Sequence, residues 1–271
     1  MTTPGGGRVS YRLAAIDLDQ TLLDSKGGVG EADARALRAL AEKGIAIAPA
    51  TARWHSAALW PLQQVGIEAA TIACGGADVR LSDGRVVEQT PVVDGFVPFI
   101  AELCDRAQWV VSLSTADVTY RRENEMPAWA ASAPAGIVPV THLRDADLSG
   151  LLTVLAHVER GDPHIAELAQ WAGSVRVYNA FAFDGSGMIT ITAAGIDKGT
   201  ALVALCGALG IDPAEAVAFG DSEVDIPMFE AAGLAVAMGN ATAAVKAAAG
   251  IVTATADEGG VSRAIREIWG L

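Results

Sequence analysis

The sequence predicts an α/β fold, a doubly wound parallel sheet interrupted by an inserted α+β segment. Both ends of the chain alternate short apolar runs with stretches of helical spacing, the rhythm of a parallel sheet covered on both faces. Between about Asp78 and Gly187 that rhythm gives way to hairpins and alternating strands. The 271 residues, 51% hydrophobic with 29 glycines and 11 prolines, can bury a sizeable core in one large or two modest domains.

Tyr11 to Asp19 reads as an apolar strand ending in acids, and Glu31 to Lys43 as a helix with Gly44 as its stop. Ile45 to Thr51 is a second strand, His55 to Val65 a helix despite Pro61, and Ala69 to Ala73 a third strand before Cys74, Gly75 and Gly76. In the insert, Ser82 to Arg85 and Phe183 to Met188 are turn candidates. Phe96–Ala107 and His164–Ala172 read as helices, and Trp109–Ser114, Leu151–Val158 and Val175–Ala180 as strands. The first rhythm then returns. Helices are expected at Lys198–Leu209, Val224–Ala232, Ala241–Ala248 and Gly259–Trp269, with strands at Ala216–Phe219, Leu234–Met238 and Ile251–Thr255. Residues 1–77 and 188–271 are thus expected to form one domain and 78–187 another. The crevice between them is the expected place for a small ligand.

Nineteen Lys and Arg stand against 32 Asp and Glu, a formal charge of −13. A surface that negative repels a phosphate backbone or an anionic membrane, which argues against nucleic acid and membrane partners. No apolar run reaches the roughly 18 residues that cross a bilayer. Met1 to Gly7 lacks the apolar stretch of a secretory signal, so a cytoplasmic protein with a short frayed tail is expected. Cys74, Cys104 and Cys206 are odd in number and far apart, which fits buried free thiols better than a disulfide framework or a zinc motif. Oligomeric state is left open.

Four segments carry chemistry. Ile16-Asp17-Leu18-Asp19-Gln20-Thr21 puts two carboxylates two residues apart at a strand end, where an open α/β sheet binds its ligand. Buried like charges call for a divalent cation or a shared proton, although a polar strand end with Asp19 as turn former reads equally well. Gly220-Asp221-Ser222-Glu223-Val224-Asp225 follows another strand and opens a helix. Helix capping explains one or two of its acids, but not two acidic strand ends in one sheet, and hard cations take oxygen ligands from several segments. Asp221 is the better metal candidate, and Asp225 serves equally as a supporting or solvent-facing carboxylate. Thr51 offers a hydroxyl and a following N–H to a phosphate oxygen, and is otherwise a turn residue. Lys198, one of only four lysines, starts a helix, where a cation opposes the dipole. A phosphate-neutralising role resolves that conflict, with a solvated surface lysine as the plainer alternative.

Taken together and in this order, the four segments resemble the haloacid dehalogenase-like superfamily, whose motifs run Asp-x-Asp-x-Thr, then Thr or Ser, then Lys, then Gly-Asp-x-x-x-Asp. An insert between Ile72-Ala-Cys-Gly-Gly-Ala77 and the lysine motif resembles the class IIB cap of the Cof-like phosphatases. The chain departs from the pattern at Gln20 and Ala52, where the family has Gly. It departs also at Gly75-Gly76-Ala77, where the family has Asn-Gly-Ala, and at Val224, where it has Asn.

The resemblance implies a Rossmann-like core, an inserted cap and a phosphatase acting on a small phosphorylated metabolite such as a sugar phosphate. It implies that Asp17 attacks phosphorus to give an aspartyl-phosphate, while Asp19 protonates the leaving alcohol and then activates water. Mg²⁺ would be held by the Asp17 carboxylate, the Asp19 carbonyl and Asp221, with Asp225 in support. Thr51 and Lys198 would hold phosphoryl oxygens, and Arg53 would contact substrate. A phosphomutase of the same layout and a non-catalytic phospho-metabolite sensor are the alternatives, the second drawing on Gln20 and Val224. Trp129, His142, Arg121, Arg122 and Tyr178 are insert residues that could face the crevice.

Overall fold

The structure, a computed structural model, describes residues 10–126, 136–181 and 186–271. Met1 to Gly7, Trp129 and the tip of the turn expected at Phe183 to Met188 lie outside them.

Strands β1 (Leu13–Ile16), β2 (Ala46–Pro49), β12 (Ala216–Gly220), β13 (Leu234–Ala237) and β14 (Ile251–Val252) form a parallel sheet in the order β14-β13-β12-β1-β2. Leu13 pairs with Ala46 on one side and Ala216 on the other. Successive side chains of a strand point to opposite faces, and β1 splits accordingly. Leu13 and Ala15 join Ala48 and Ala218 against Leu202 and Leu205 of α4 (Lys198–Leu209) and Met228 of α5 (Ile226–Ala231). Ala14 and Ile16 join Ile47 and Phe219 against Leu37 of α1 (Glu31–Glu42), Leu62 of α2 (His55–Gln64) and Ile265 of α7 (Gly260–Trp269). Alanines on the first face let α4 lie close to the sheet, and the larger side chains on the second fill the space toward α1 and α7. The remaining helix, α6 (Ala243–Ala248), precedes β14. Across this half the helices and strands stand within a few residues of their expected positions. The expected helix over Val224–Ala232 is divided, its first turn being a 3₁₀ turn at Glu223–Asp225.

The antiparallel strands β3 (Thr71–Ala73), β4 (Asp78–Arg80) and β5 (Val86–Gln89) extend this core beyond β2. Thr51 N donates to Ile72 O at 2.9 Å, and Val79 is buried in the same cluster as Leu202. The second sheet runs β10-β11-β9-β6-β7-β8, with β6 (Val110–Ser114), β7 (Thr119–Arg122), β8 (Ile137–Val140), β9 (Thr153–Glu159), β10 (Val175–Phe181) and β11 (Ser186–Ala193). All its pairings are antiparallel except β7 with β8. One face of this sheet packs on Phe96, Ile100 and Leu103 of α3 (Phe96–Ala107).

The limits expected at 77/78 and 187/188 cut through these units. The β4–β5 hairpin belongs by packing to the core, and Gly187 lies inside β11, paired with Phe181 and Val158. Composition registers the loss of helical rhythm at residue 78, whereas packing changes only after β5. The segment expected as a helix near His164 is a run of 3₁₀ turns over Pro163–Trp171.

The turn between β3 and β4 touches the passage that returns from the second sheet to α4. A Cβ on Gly76 would lie 2.3 Å from Asp197 O, and its φ is +107°, so only glycine fits there. Cys74, Cys104 and Cys206 are buried free thiols. Among the described residues no helix is long and apolar enough to cross a membrane.

Candidate active site

Three core segments deliver their polar residues to the C-terminal edge of the parallel sheet. Asp17 continues β1, its N–H donating to Phe219 O at 3.0 Å. Lys198 opens α4 behind Asp197, whose carboxylate caps the helix by accepting from Thr200 N at 2.8 Å. The stretch from Asp221 to Asp225 follows β12. Lys198 Nζ donates to Asp17 Oδ1 and to Asp225 Oδ1, both at 2.6 Å. All three side chains are buried. The lysine is therefore not a solvated surface residue, and its unfavourable place on the helix dipole is offset by two carboxylates.

Asp225 is held on every side. Its Oδ2 accepts from Asp221 N and Ser222 N at 3.0 Å and from Ser222 Oγ at 3.2 Å. Gly220 makes room for it, since a Cβ there would lie 2.5 Å from the Asp225 carboxyl carbon. Asp221 accepts at Oδ1 from Thr21 Oγ1, 3.2 Å away. Thr21, fully buried, was not singled out from the sequence. Its place as the last residue of the Asp-x-Asp-x-Thr stretch was the available signal.

One carboxylate oxygen each from Asp17, Asp221 and Asp225 lies within 4.8 Å of the others. Three carboxylates face one ammonium. Burial, reinforced by the charges of Asp225, Asp221 and Asp19 and opposed by Lys198, pushes the Asp17 carboxyl well above the usual carboxylate range. Asp221 is pushed up to about 7 by burial and then by Asp225. Burial alone would lower the Lys198 ammonium, but Asp17 and Asp225 hold it above its ordinary value. An oxygen-only, over-negative cluster fits a hard divalent cation, whose charge would offset the like-charge repulsion. The fit favours Asp17 and Asp221 as ligands, because the hydrogen bonds of Asp225 are already committed to Lys198 and to residues 221–222.

Asp19 stands apart from this cluster. Arg53 holds its carboxylate, with Nε 3.0 Å from Oδ2 and Nη2 2.5 Å from Oδ1. Gln20 beside it adopts a left-handed φ of +63°, and its carbonyl accepts from Asn240 Nδ2. Thr51 is buried at the tip of β2, its Oγ1 accepting from Arg53 N at 3.2 Å.

Asp17, Asp19, Thr51, Lys198 and Asp221 floor a crevice of about 720 Å³ whose opposite wall is the second sheet, with His157, Arg160, Tyr178, Asn179, Met188 and Thr190. Of the insert residues expected there, Tyr178 lines the crevice. Arg122 does not, because its guanidinium turns inward to Cys104 O, Asp105 and Glu125. Arg121 donates to Ser112 Oγ, with its Nε buried and unpartnered, and does not line the crevice, and His142 is exposed at a turn. Val224 lines the floor.

A family profile described as haloacid dehalogenase-like hydrolase matches residues 14–265. An HMP-PP phosphatase of Serratia proteamaculans is 30% identical over 87% of this chain and 86% of its own length. Phosphatase YwpJ of Bacillus subtilis is 27% identical, covering 95% of this chain and 99% of its own. A haloacid dehalogenase-like hydrolase structure from B. subtilis superposes with a TM-score of 0.82 at 25% identity, over 94% of this chain and 99% of that one. A subclass IIB sugar phosphatase shares the fold, with a TM-score of 0.79 at 22% identity over 96% and 100% of the two chains.

Proposed function

The chain belongs to the haloacid dehalogenase-like hydrolases and is a phosphoric monoester hydrolase; from that premise we propose that it hydrolyses a small phosphorylated metabolite through an aspartyl-phosphate on Asp17. The observation that carries this reading is the bridge of Lys198 Nζ between Asp17 and Asp225, beside Asp221, at the ligand-binding edge of the sheet.

Asp17 is the nucleophile. Lys198 fixes one of its oxygens and leaves the other to attack phosphorus, with the alkoxide departing on the far side. Asp19 gives its proton to that alkoxide, and as a carboxylate then takes a proton from the water that hydrolyses the intermediate. For this Asp19 must leave Arg53, which becomes available to the substrate. Thr51 Oγ1 and Lys198 Nζ hold the non-bridging phosphoryl oxygens. The Asp17 carboxylate, the Asp19 main-chain carbonyl and Asp221 would hold Mg²⁺, which supplies positive charge between an anionic nucleophile and an anionic ester. Asp225 keeps Lys198 and the backbone of 221–222 in place. The six-stranded unit acts as the cap, and the free thiols accord with a cytoplasmic setting.

The test is phosphate release from a panel of phosphorylated metabolites, in Mg²⁺ and in excess chelator, for the wild type and Asp17→Asn. Release should require both the metal and Asp17. Full activity in the variant or in chelator overturns the reading.

A further inference from the structure

Arg176 lies on β10 and has Tyr178, two residues on, as its neighbour on the same face of the sheet. Its Nη1 donates to Tyr178 Oη at 2.7 Å and also to Asp197 Oδ2. The guanidinium carbon sits 5.5 Å from the centre of the Tyr178 ring. Asp197 is anchored independently, as the cap of α4, and is buried against the β3–β4 turn at Gly76. One arginine of the cap is therefore clamped to a fixed point of the core while it holds a tyrosine hydroxyl at the roof of the crevice.

The chemistry of that hydroxyl gives it a direction. A guanidinium can only donate, so Tyr178 Oη is the acceptor in this pair and keeps its own proton to donate elsewhere. Burial, and the nearby Asp197 charge, push the phenol above its ordinary value, so the proton is retained at neutral pH. The ring lines the crevice opposite Lys198, where the alcohol half of a phosphate ester held by the core must lie. The neighbouring residues His157, Asn179 and Thr190 add further polar groups beside Met188, so an oxygen of the alcohol portion has partners on this side of the crevice.

We propose that Tyr178 is a specificity-determining donor to an oxygen of the alcohol portion, and that Arg176, fixed on Asp197, is its positioning residue. This rests on the reading of the site as a phosphate-ester hydrolase. A hydroxyl fixed by a clamped arginine pays less ordering cost on binding than one free to rotate. Loss of either residue should therefore weaken the same interaction.

The experiment measures kcat and KM by phosphate release, with Mg²⁺, for glucose 6-phosphate, ribose 5-phosphate, glycerol 3-phosphate and phenyl phosphate. The proteins are the wild type, Tyr178→Phe, Arg176→Gln and the double variant. The wild type should prefer at least one oxygen-rich ester to phenyl phosphate. For the preferred ester, Tyr178→Phe should raise KM by about tenfold with kcat nearly unchanged, the signature of a lost hydrogen bond made in ground and transition state alike. Arg176→Gln should reproduce that rise and the double variant should add little, because both remove one interaction. Phenyl phosphate kinetics should stay within about twofold throughout.

An unchanged KM in Tyr178→Phe, additive effects of the two substitutions, or a wild-type preference for phenyl phosphate overturns the proposal. An Arg176 that merely supported the fold would lower turnover of phenyl phosphate equally and leave Tyr178→Phe silent. Failure of the underlying reading looks different, since the wild type would then release phosphate from none of the four esters.

Discussion

Arg53 grips both carboxylate oxygens of Asp19, although the two residues lie 34 positions apart and on different loops of the sheet edge. The pair turns Asp19 away from the buried cluster of Asp17, Asp221 and Asp225, so the proposed proton shuttle and the proposed nucleophile are held separately in this structure. It is partly open to water, with 31% and 58% of the two side chains exposed. A solvent-exposed ion pair is weak enough to be exchanged for a substrate phosphate.

Removing that grip should cost less than removing the shuttle itself. Arg53→Ala is expected to lower kcat/KM by about tenfold, because Asp19 keeps its chemistry and only the contact that Arg53 makes to the substrate after releasing Asp19 is lost. Asp19→Asn should lower kcat by roughly 10²–10⁴. Steady-state kinetics of the two variants on one ester check the order; an Arg53→Ala loss as large as that of Asp19→Asn would make the arginine indispensable to the chemistry.

Metal should stabilise the fold through Asp221. Mg²⁺ at about a hundredfold excess over its Kd should add roughly 2.7 kcal/mol to wild-type stability, by preferential binding to the folded state. Differential scanning calorimetry should show the rise in Tm for the wild type and its absence in Asp221→Asn. An equal rise in both would place the ion elsewhere.

Gly220 is expected to be irreplaceable even by alanine. The added methyl would meet Asp225 at 2.5 Å, and Asp225 cannot retreat without releasing Lys198 and the N–H groups of residues 221 and 222. Gly220→Ala should destabilise by about 1–3 kcal/mol and lower turnover by around 10²-fold through displacement of the site. Denaturant midpoints and kcat provide the check, and a variant of wild-type activity would show that Asp225 need not be fixed.

Asp33 ties the first helix of the core to the last, its buried Oδ1 accepting from Ser262 N at 2.7 Å. Burial raises its carboxyl above the usual 3.8, against the hydrogen bonds from Ser262. A raised value in the fold means that the folded state binds the proton more tightly than the unfolded one. The contribution of this group is then largest at low pH and declines as pH rises from about the ordinary value through the raised one. Asp33→Asn keeps the acceptor and removes the titration. Relative to the wild type it should therefore gain stability between pH 4 and pH 7 in urea melts. A relative loss over that interval would reverse the sign and refute the argument.

What the sequence revealed depended on whether a residue's role was local. Lys198 stood out because a cation at a helix start conflicts with its surroundings, and the structure places its ammonium between two buried carboxylates. The Arg53–Asp19 pair is a tertiary contact with no local signature, and the contact of Thr21 with Asp221 is foreshadowed only by its place at the end of the Asp-x-Asp-x-Thr stretch. Arg121 and Arg122 look alike in sequence, yet a period of two sends Arg122 into the α3 side and Arg121 to the opposite face. Strands β7 and β8 went unread because Thr-Tyr-Arg-Arg and Ile-Val-Pro-Val lack a clean alternation, whereas β11 alternates through Ile189-Thr190-Ile191-Thr192 but is preceded and partly obscured by the turn signal at Phe183 to Met188. The roof residues His157 and Thr190 could be placed on a strand face only once docking decided which face meets the core.

The contact of Gly76 with Asp197 also bears on how such a protein can be diversified. Thr90 N, just past the hairpin, donates to Ala77 O at 3.0 Å, so the chain departs for the six-stranded unit and returns from it at nearly the same spot. Adjacent ends make that unit a cassette. A different roof of any size could be spliced between the same two points without altering the order or direction of a single strand in the parallel sheet. Recognition of the alcohol can then drift from one lineage to the next while the phosphate chemistry beneath it is inherited intact.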